Sequence, residues 1–145
     1  VMKLIEVTAG LETSEETIQD VLEFARRVGK TPVRAKESPG GITSRILAAM
    51  RAAAVDVYVE GVASIEDIDT AMKLGYNLPM GPLELGAYVG WDPVLGILEY
   101  CSRELGVERF APCPLIRQLV RAGYLGKKVG KGIYEYYDQY MAKRV

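Results

Sequence analysis

The sequence predicts a single all-α domain, a helical bundle with a short extended arm at its start. Its 145 residues are enough to enclose one hydrophobic core and few for two. Apolar residues recur at helical spacing in six separate segments. No glycine-rich G-x-G-x-x-G turn follows a strand, so we expect a dinucleotide-binding Rossmann domain to be absent from this chain.

The first elements are an extended run and a capped helix. Residues 2–7 are largely apolar and lack helical periodicity, which predicts a strand or an extended arm. Thr13 and Glu16 have the spacing of a capping box, and an apolar helical face follows until Gly29, so a helix is predicted over residues 14–28. Pro32 confines the next short extended segment, residues 31–33, to a sheet edge or a crossing position.

Glycine, serine and proline mark the boundaries of the remaining helices. After the break at residues 38–41, an alanine-rich amphipathic pattern predicts a central helix over residues 42–60. Ser64 caps another helix, which ends at Gly75. The last three helices are each predicted to start with a proline at the first helical position. These prolines are Pro82, Pro93, which follows Asp92, and Pro114. The aromatic run at residues 133–137 is interpreted as strand-like.

The composition excludes several classes of function. The sequence contains no histidine, which rules out histidine-dependent catalysis or metal binding by this chain alone. Its 18 basic and 19 acidic residues lack the positive excess of a nucleic-acid-binding protein, so no nucleic-acid partner is expected. Cys101 and Cys113 lack the C-x-x-C spacing of a zinc site, and we expect no metal and a reducing, cytoplasmic location.

Nothing in the sequence predicts membrane association. No apolar run reaches the roughly 18 residues that a membrane span needs. The first residues, Val1-Met2-Lys3-Leu4, lack the features of a signal peptide. A first residue other than methionine indicates a trimmed chain, although a processed or engineered start is equally compatible with it.

Two polar residues are candidates for chemistry. Glu6 lies inside the first apolar run, where a charge needs either a partner or a solvent-facing position. From the residues alone, the favoured interpretation is simple strand alternation, with Lys3 and Glu6 at an exposed edge. Ser44 lies at the start of the central helix, where its hydroxyl could reach a ligand, and a local bond to the backbone is again the favoured interpretation.

The loop from Gly126 to Gly132 combines glycines with three lysines and superficially resembles a phosphate-binding loop. Its spacing differs from G-x-x-x-x-G-K-[ST], and it leads into the aromatic run rather than into a helix. We therefore favour a structural turn over an anion site.

Several ordered motifs together resemble the C-terminal domain of 3-hydroxyacyl-CoA dehydrogenases, and the resemblance covers nearly the whole chain. That domain is a helical bundle of the 6-phosphogluconate dehydrogenase C-terminal-domain-like type. The motifs that carry the resemblance are Met2-Lys3-Leu4-Ile5-Glu6-Val7, Ser38-Pro39-Gly40, Arg45-Ile46-Leu47, Asp67-Ile68-Asp69-Thr70-Ala71-Met72, Pro79-Met80-Gly81-Pro82 and Gly130-Lys131-Gly132-Ile133-Tyr134.

The resemblance implies a domain organisation and a reaction. Residues 1–145 are assigned to the helical domain, with residues 1–10 as an arm from the missing NAD domain and residues 138–145 as a tail. The family oxidises 3-hydroxyacyl-CoA to 3-ketoacyl-CoA in fatty-acid β-oxidation or related acyl-CoA metabolism. NAD is bound by the missing domain, the helical domain contacts the acyl-CoA substrate and forms a homodimer, and the chain alone is expected to be inactive.

The resemblance also assigns residue roles. Glu6 matches the glutamate that orients the catalytic histidine, which lies in a His-Phe-Phe-Asn-Pro motif before the position of Val1. A carboxylate on one imidazole nitrogen fixes the tautomer that lets the other nitrogen accept the substrate proton. Ser44 stands where the family has an asparagine that holds the substrate carbonyl, and Ala87 stands where related sequences carry aspartate.

Two other interpretations remain open. The chain could be a non-catalytic, degenerate copy of this domain that acts as a helical dimerisation module, which the residues at 44 and 87 favour. A dehydrogenase of the 6-phosphogluconate or hydroxyacid type would share the helical domain but would leave the Pro79-Met80-Gly81-Pro82 motif unexplained.

Overall fold

The structure, a computed structural model, describes residues 2–136. The chain divides into two compact units, Val1–Arg45 and Ile46–Val145. Tyr137 and the tail predicted for residues 138–145 lie outside the described residues.

The first unit contains a parallel strand pair joined by a helix. Strand β1 spans Leu4–Ala9, helix α1 spans Glu15–Arg27, and strand β2 spans Thr31–Lys36. The strands pair in parallel from Leu4 with Thr31 to Ala9 with Lys36. A parallel pair needs a crossover connection, and α1 supplies it.

This strand-helix-strand unit corrects the predicted fold class, because the described chain is not purely all-α. The first apolar run is a sheet strand rather than an arm, and the segment after α1 is its partner. The prediction missed the pair because β2 contains Pro32, Arg34 and Lys36 and therefore lacks an apolar strand pattern. Pro32 is tolerated because β2 pairs on one side only within the described sheet.

Helix α1 closes the small core of the first unit. Val7, Ile18 and Leu22 form a buried cluster between β1 and α1. The predicted helix is confirmed, but its cap differs, because the Ser14 hydroxyl accepts the hydrogen bond from Thr17 N at 3.2 Å. Thr13 instead accepts from Gly10 N in the turn before the helix.

The second unit is helical. Helix α2 begins in the first unit and continues into this one, and the described helices span Thr43–Val59 (α2), Ile65–Tyr76 (α3), Pro82–Val89 (α4), Trp91–Leu105 (α5) and Pro114–Arg121 (α6). Short 3-10 turns cover Glu108–Phe110 and Lys127–Val129.

The predicted helices of this unit are confirmed, with three local corrections. Helix α3 continues past Gly75 to Tyr76 and ends on Asn77 in the left-handed conformation. Helix α5 begins at Trp91, before the predicted Asp92-Pro93 start. Residues 133–136 are helical rather than strand-like.

The core of the second unit lies among α2, α3, α4, α5 and α6. Small residues of α2 face it, including Ala48 and Ala52. Trp91 is fully buried, and a side chain at Gly86 would lie 2.7 Å from its ring, so α4 and the start of α5 pack closely. Within residues 2–136, no helix combines the length and apolar character needed to cross a lipid bilayer.

Candidate active site

The Glu6 carboxylate binds the start of helix α2. Glu6 lies in β1, and its two oxygens accept hydrogen bonds from Ile42 N and Thr43 N, both at 2.9 Å. Helix starts carry unpaired N–H groups and a partial positive charge, so they favour an anion. The carboxylate therefore has the partner that a charge inside an apolar run requires.

Hydrogen bonds favour the ionised form of this carboxylate. The Thr43 hydroxyl, followed by the backbone N–H groups of Ile42 and Thr43, holds the pKa of Glu6 below its ordinary value. Desolvation acts weakly in the opposite direction, and no charged side chain contributes to the shift. Glu6 is thus an anion at neutral pH and can only accept hydrogen bonds.

Ser44 follows this contact directly in α2 and is exposed. Its neighbour Arg45 donates from Nη1 to the Ser38 hydroxyl at 2.9 Å, which ties the first turn of α2 to the preceding loop. Both residues predicted to carry chemistry thus lie at or next to the start of α2.

Sequence reasoning missed Gly41 and Thr43, which complete the contact with Glu6. Gly41 has a φ of 57°, and a Cβ there would lie 2.9 Å from Glu6 Oε2. In the sequence, the Gly40-Gly41 pair indicated only an interruption before the predicted central helix. No local pattern indicates Thr43 as a partner of Glu6, which lies 37 positions earlier.

Asp69 forms a second carboxylate contact of the same kind in the helical unit. It is 2% exposed, and its oxygens accept from Leu83 N and Glu84 N, each at 2.8 Å. The Tyr134 hydroxyl donates to the same carboxylate. Burial and then the Asp69 carboxylate raise the pKa of Tyr134, so its phenol stays protonated and donates.

The lysines of the 126–132 loop have partners within the protein. Lys127 lies over the Tyr88 ring, Lys131 over the Tyr124 ring, and the Lys128 ammonium lies 2.5 Å from the Asp92 carboxylate. The loop closes on itself through Gly126 N, which donates to Lys131 O at 2.7 Å. These contacts support a structural turn rather than an anion site.

Ala87, one of the two departures from the family pattern, packs under this loop. A Cβ on Gly126 would lie 2.1 Å from the Ala87 carbonyl oxygen, and a Cβ on Gly132 would lie 3.7 Å from the Ala87 methyl group. Position 87 therefore borders the loop and lies far along the chain from Glu6 and Ser44.

The first unit does not fit the pyrophosphate of a dinucleotide. Such a group binds at a helix start with free N–H groups and no adjacent negative charge. The start of α1 instead carries Glu15 and Glu16, and the Ser14 hydroxyl already occupies Thr17 N. Arg34, which lines an open groove of about 520 Å³ at the carboxyl ends of the strands, bonds both of its terminal nitrogens to Glu15.

The described residues also contain no cluster of three or more histidine, cysteine, aspartate or glutamate side chains arranged to hold a metal ion. Within the described chain, the chemistry available at the start of α2 is therefore that of a fixed carboxylate and a neighbouring hydroxyl.

Both parts of the chain match models of one protein family. The model described as 3-hydroxyacyl-CoA dehydrogenase, C-terminal domain, matches residues 40–136. The model of the NAD binding domain of 3-hydroxyacyl-CoA dehydrogenase matches residues 1–38. The second match overturns the expectation that the Rossmann domain is absent, because a strand-helix-strand part of it is present.

Individual relatives carry related descriptions. The probable 3-hydroxybutyryl-CoA dehydrogenase of Bacillus subtilis (strain 168) is 48% identical over 139 residues, which are 96% of this chain and 48% of that protein. The mitochondrial hydroxyacyl-coenzyme A dehydrogenase of Sus scrofa is 43% identical over 136 residues, 93% of this chain and 43% of that protein.

A solved structure of a protein with a related description also matches most of this chain. The crystal structure of (S)-3-hydroxybutyryl-CoA dehydrogenase from Ralstonia eutropha matches with a TM-score of 0.88 at 43% identity, covering 91% of this chain and 47% of that one. The chain spans about half the length of the curated relatives it matches.

Proposed function

The chain belongs to the 3-hydroxyacyl-CoA dehydrogenase family, and from that premise we propose that it forms the substrate-side part of an NAD-dependent dehydrogenase. The reaction oxidises the 3-hydroxyl of a 3-hydroxyacyl-CoA to a 3-ketone. Relatives described as 3-hydroxybutyryl-CoA dehydrogenases support a short acyl chain as the substrate. NAD binds outside the residues described here, because the turn before α1 does not fit its pyrophosphate.

The position of Glu6 carries this proposal. An ionised carboxylate, fixed at the start of α2, can accept the N–H of an imidazole and stabilise the imidazolium that forms when the other nitrogen takes the substrate proton. The sequence has no histidine. We therefore propose that the histidine belongs to a longer protein that contains this chain, consistent with the length of the relatives.

Ser44 is proposed as a substrate contact. Its hydroxyl, in the first turn of α2, can donate one hydrogen bond to the carbonyl oxygen of the substrate. The family asparagine offers an amide with two N–H groups at this position, so Ser44 provides fewer donors. A missing oxyanion donor costs roughly 3 kcal/mol of transition-state stabilisation, and we expect Ser44→Asn to raise kcat.

The proposal predicts different activities for this chain and for the longer protein. The 145-residue chain should produce no NADH from 3-hydroxybutyryl-CoA and NAD, because it has no general base of the required kind. The longer protein should turn over, and Glu6→Gln should lower its kcat by roughly a hundredfold or more. NADH absorbance in a steady-state assay measures both.

Glu12→Gln is the matched control, because Glu12 is exposed in the turn after β1 and no hydrogen bond to it is described. Its activity should equal that of the wild type. Turnover by the 145-residue chain alone would contradict the assignment of the base to another part of the protein.

We also propose that the chain dimerises and works in the cytoplasm. Several large apolar side chains of the second unit are exposed, among them Val62 at 69% and Leu74 at 82%, and a second copy could cover them. Light scattering should give twice the 15.9 kDa chain mass, whereas a monomer at high micromolar concentration would refute the dimer.

The proposed cytoplasmic location is supported by the two cysteines, which are buried and free, as expected in a reducing compartment.

The alternative is a non-catalytic dimerisation module. Ser44 and Ala87, which replace the family's asparagine and aspartate, favour it. In that case the longer protein would show no dehydrogenase activity, although light scattering would still report a dimer. The assay of the wild-type longer protein therefore separates the two proposals.

A further inference from the structure

Helix α2 carries an arginine that is buried without a partner. Arg51 is 5% exposed, and its Nε atom is fully enclosed and makes no hydrogen bond. Within residues 2–136, its guanidinium group takes part in no hydrogen bond or ion pair. Arginine keeps its positive charge throughout the pH range of a folded protein. A charged group buried this deeply is normally paired, so the missing partner points to a group from outside the described chain.

The neighbours of Arg51 on α2 offer no acceptor. Residues three and four positions away lie beside it on the helix surface. These residues are Leu47, Ala48, Ala54 and Val55, and all four are apolar. Ala48, Ala54 and Val55 are buried. The helix therefore surrounds the arginine with hydrocarbon on both sides.

No acid of the described residues compensates the charge of Arg51 either. Burial lowers the pKa of this arginine, and no charged group contributes to that shift. A nearby carboxylate would act in the opposite direction. The buried acid of the same unit, Asp69, is already bound to the start of α4 and to Tyr134.

The same unit contains a buried indole N–H group without an acceptor. Trp91 is fully buried, and its Nε1 atom has no hydrogen-bond partner among the described residues. Trp91 belongs to the same hydrophobic cluster as Ala48 and Val55. The interior of the unit thus has too few acceptors for its donors and a positive charge without a counterion. An anion supplies what is missing in both respects.

We propose that Arg51 is the anchor of a binding site for a small carboxylate ligand in the helical unit. A carboxylate accepts two parallel hydrogen bonds from a guanidinium group and cancels its single charge. A phosphate carries up to two negative charges and binds several donors, so one arginine would leave part of that charge buried without compensation. The remaining exposure of Arg51 gives a small acid access from solvent. This site goes beyond the proposed function and does not depend on it.

The first test follows the Nε–H group of Arg51 directly. In nitrogen-15 NMR of the 145-residue chain, the signal lost in Arg51→Met identifies Arg51. Sodium acetate should move this signal along a saturating curve with a Kd of about 10 mM, as expected for one charge-assisted contact. Sodium chloride at the same ionic strength should not move it. The signal of Arg27, an exposed arginine in the last turn of α1, should stay in place with both salts.

Thermal unfolding gives a second, independent readout. Acetate at ten times its Kd should raise the Tm of the chain by about 3 to 5 °C over sodium chloride at the same ionic strength. The rise should be absent in Arg51→Met. It should be unchanged in Arg27→Met, which removes an exposed arginine and serves as the matched control.

Three results would overturn the proposal. The first is an Arg51 signal that acetate does not move, and the second is an equal rise of Tm in Arg51→Met. The third is a lower Kd for inorganic phosphate than for acetate, which would refute a carboxylate as the class of ligand.

The carboxylate can belong to a free organic acid or to the far end of an acyl chain carried by coenzyme A. Adipoyl-CoA ends in a carboxylate and hexanoyl-CoA, of the same chain length, ends in a methyl group. If adipoyl-CoA moves the Arg51 signal at a lower concentration than acetate does, and hexanoyl-CoA does not move it, the ligand is an acyl chain. Movement only at the acetate concentration, or no movement, identifies a free acid. An inactive longer protein would refute the proposed function and would leave the acetate result on the 145-residue chain intact.

Discussion

At the residue scale, the same kind of helix-capping contact occurs twice in the chain. A carboxylate from a distant element binds the first N–H groups of a helix, Glu6 at α2 and Asp69 at α4. In each case a glycine precedes the helix, and a Cβ on Gly41 or Gly81 would collide with the incoming carboxylate. Gly81 at the N-cap of α4 and Ile42 directly before α2 have no polar side chain with which to cap a helix, so the distant acid replaces the local cap.

The first prediction concerns Asp69. Asp69→Asn puts an amide N–H against a backbone N–H and removes the charge that binds Leu83 N, Glu84 N and the Tyr134 hydroxyl. We expect the free energy of unfolding to fall by about 1.5–3 kcal/mol, the range for hydrogen bonds to a charged group. Urea denaturation followed by circular dichroism measures it.

The control for Asp69 lies on the same helix. Glu66→Gln changes an exposed acid in the first turn of α3 and should cost less than about 1 kcal/mol, a helix-dipole effect only. Equal losses in the two variants would show that the buried contacts of Asp69 add nothing.

The sequence could predict part of this site and not the rest. Glu6 and Ser44 could be noted as candidates because a charge in an apolar run and a hydroxyl at a helix start are local features, whereas their predicted roles came from the family resemblance. Thr43 and Gly41 were not, because their role depends on contacts with Glu6, which lies 37 and 35 positions earlier in the chain. The same reason hides Asp69, whose partners on α4 lie 14 and 15 residues later.

At the element scale, periodicity predicted the helices well and the strand pair poorly. Amphipathic spacing and capping residues are local, so α1, α2 and α3 were found within one or two residues. Strand β2 has no such signature, since Arg34 and Lys36 interrupt it, and only its pairing with β1 makes it a strand. The helical residues 133–136 were misjudged because aromatic residues favour strands unless packing overrides that preference.

Glycine positions allow a sharp prediction about the loop that packs on α4. Gly126 has a φ of 107° and a ψ of −153°, a region open essentially to glycine alone, and its Cβ would lie 2.1 Å from the Ala87 carbonyl oxygen. Gly126→Ala should therefore cost about 3 kcal/mol or more through strain and overpacking. Thermal unfolding of the purified variant measures the loss.

Gly130 is the matched position for that test. It also has a positive φ, 70°, but a Cβ there would meet nothing within 4 Å. Gly130→Ala should cost about 1 kcal/mol from the left-handed conformation alone. If both substitutions cost the same, the close approach to Ala87 has no energetic effect.

Helix α2 carries a buried charge on its core-facing side. Arg51 is 5% exposed, its Nε has no hydrogen-bond partner among the described residues, and burial lowers its pKa. Because burying a charge with an unsatisfied N–H group is unfavourable, we expect Arg51→Met to raise the free energy of unfolding by about 1 kcal/mol or more. Chemical denaturation of the 145-residue chain measures the difference.

Arg51→Ala separates the charge from the packing of the aliphatic stem. It removes the same charge but leaves a space, so it should be less stable than Arg51→Met. A loss of stability in the methionine variant would mean that the guanidinium has a favourable partner, and the prediction would be wrong.

At the scale of the whole molecule, the two units differ in the size of their cores. Three residues form the buried cluster of the described first unit, whereas sixteen form that of the second. A two-stranded sheet is marginal in water without further packing. The family relationship explains this difference, since residues 1–38 match an NAD-binding domain of which the chain carries only a strand-helix-strand part.

This imbalance predicts that the two units lose structure separately. In the 145-residue chain, amides of β1 and β2 should exchange with solvent at lower urea concentration than amides of α5, as measured by hydrogen exchange with mass spectrometry. Leu22→Ala, which opens the small cluster, should lower protection in β1 and β2 and leave α5 unchanged. Leu98→Ala should do the reverse, because Leu98 is fully buried in the larger core. A single transition that includes peptides of both units, or a loss of protection in α5 caused by Leu22→Ala, would mean that the chain unfolds as one cooperative body despite its unequal cores.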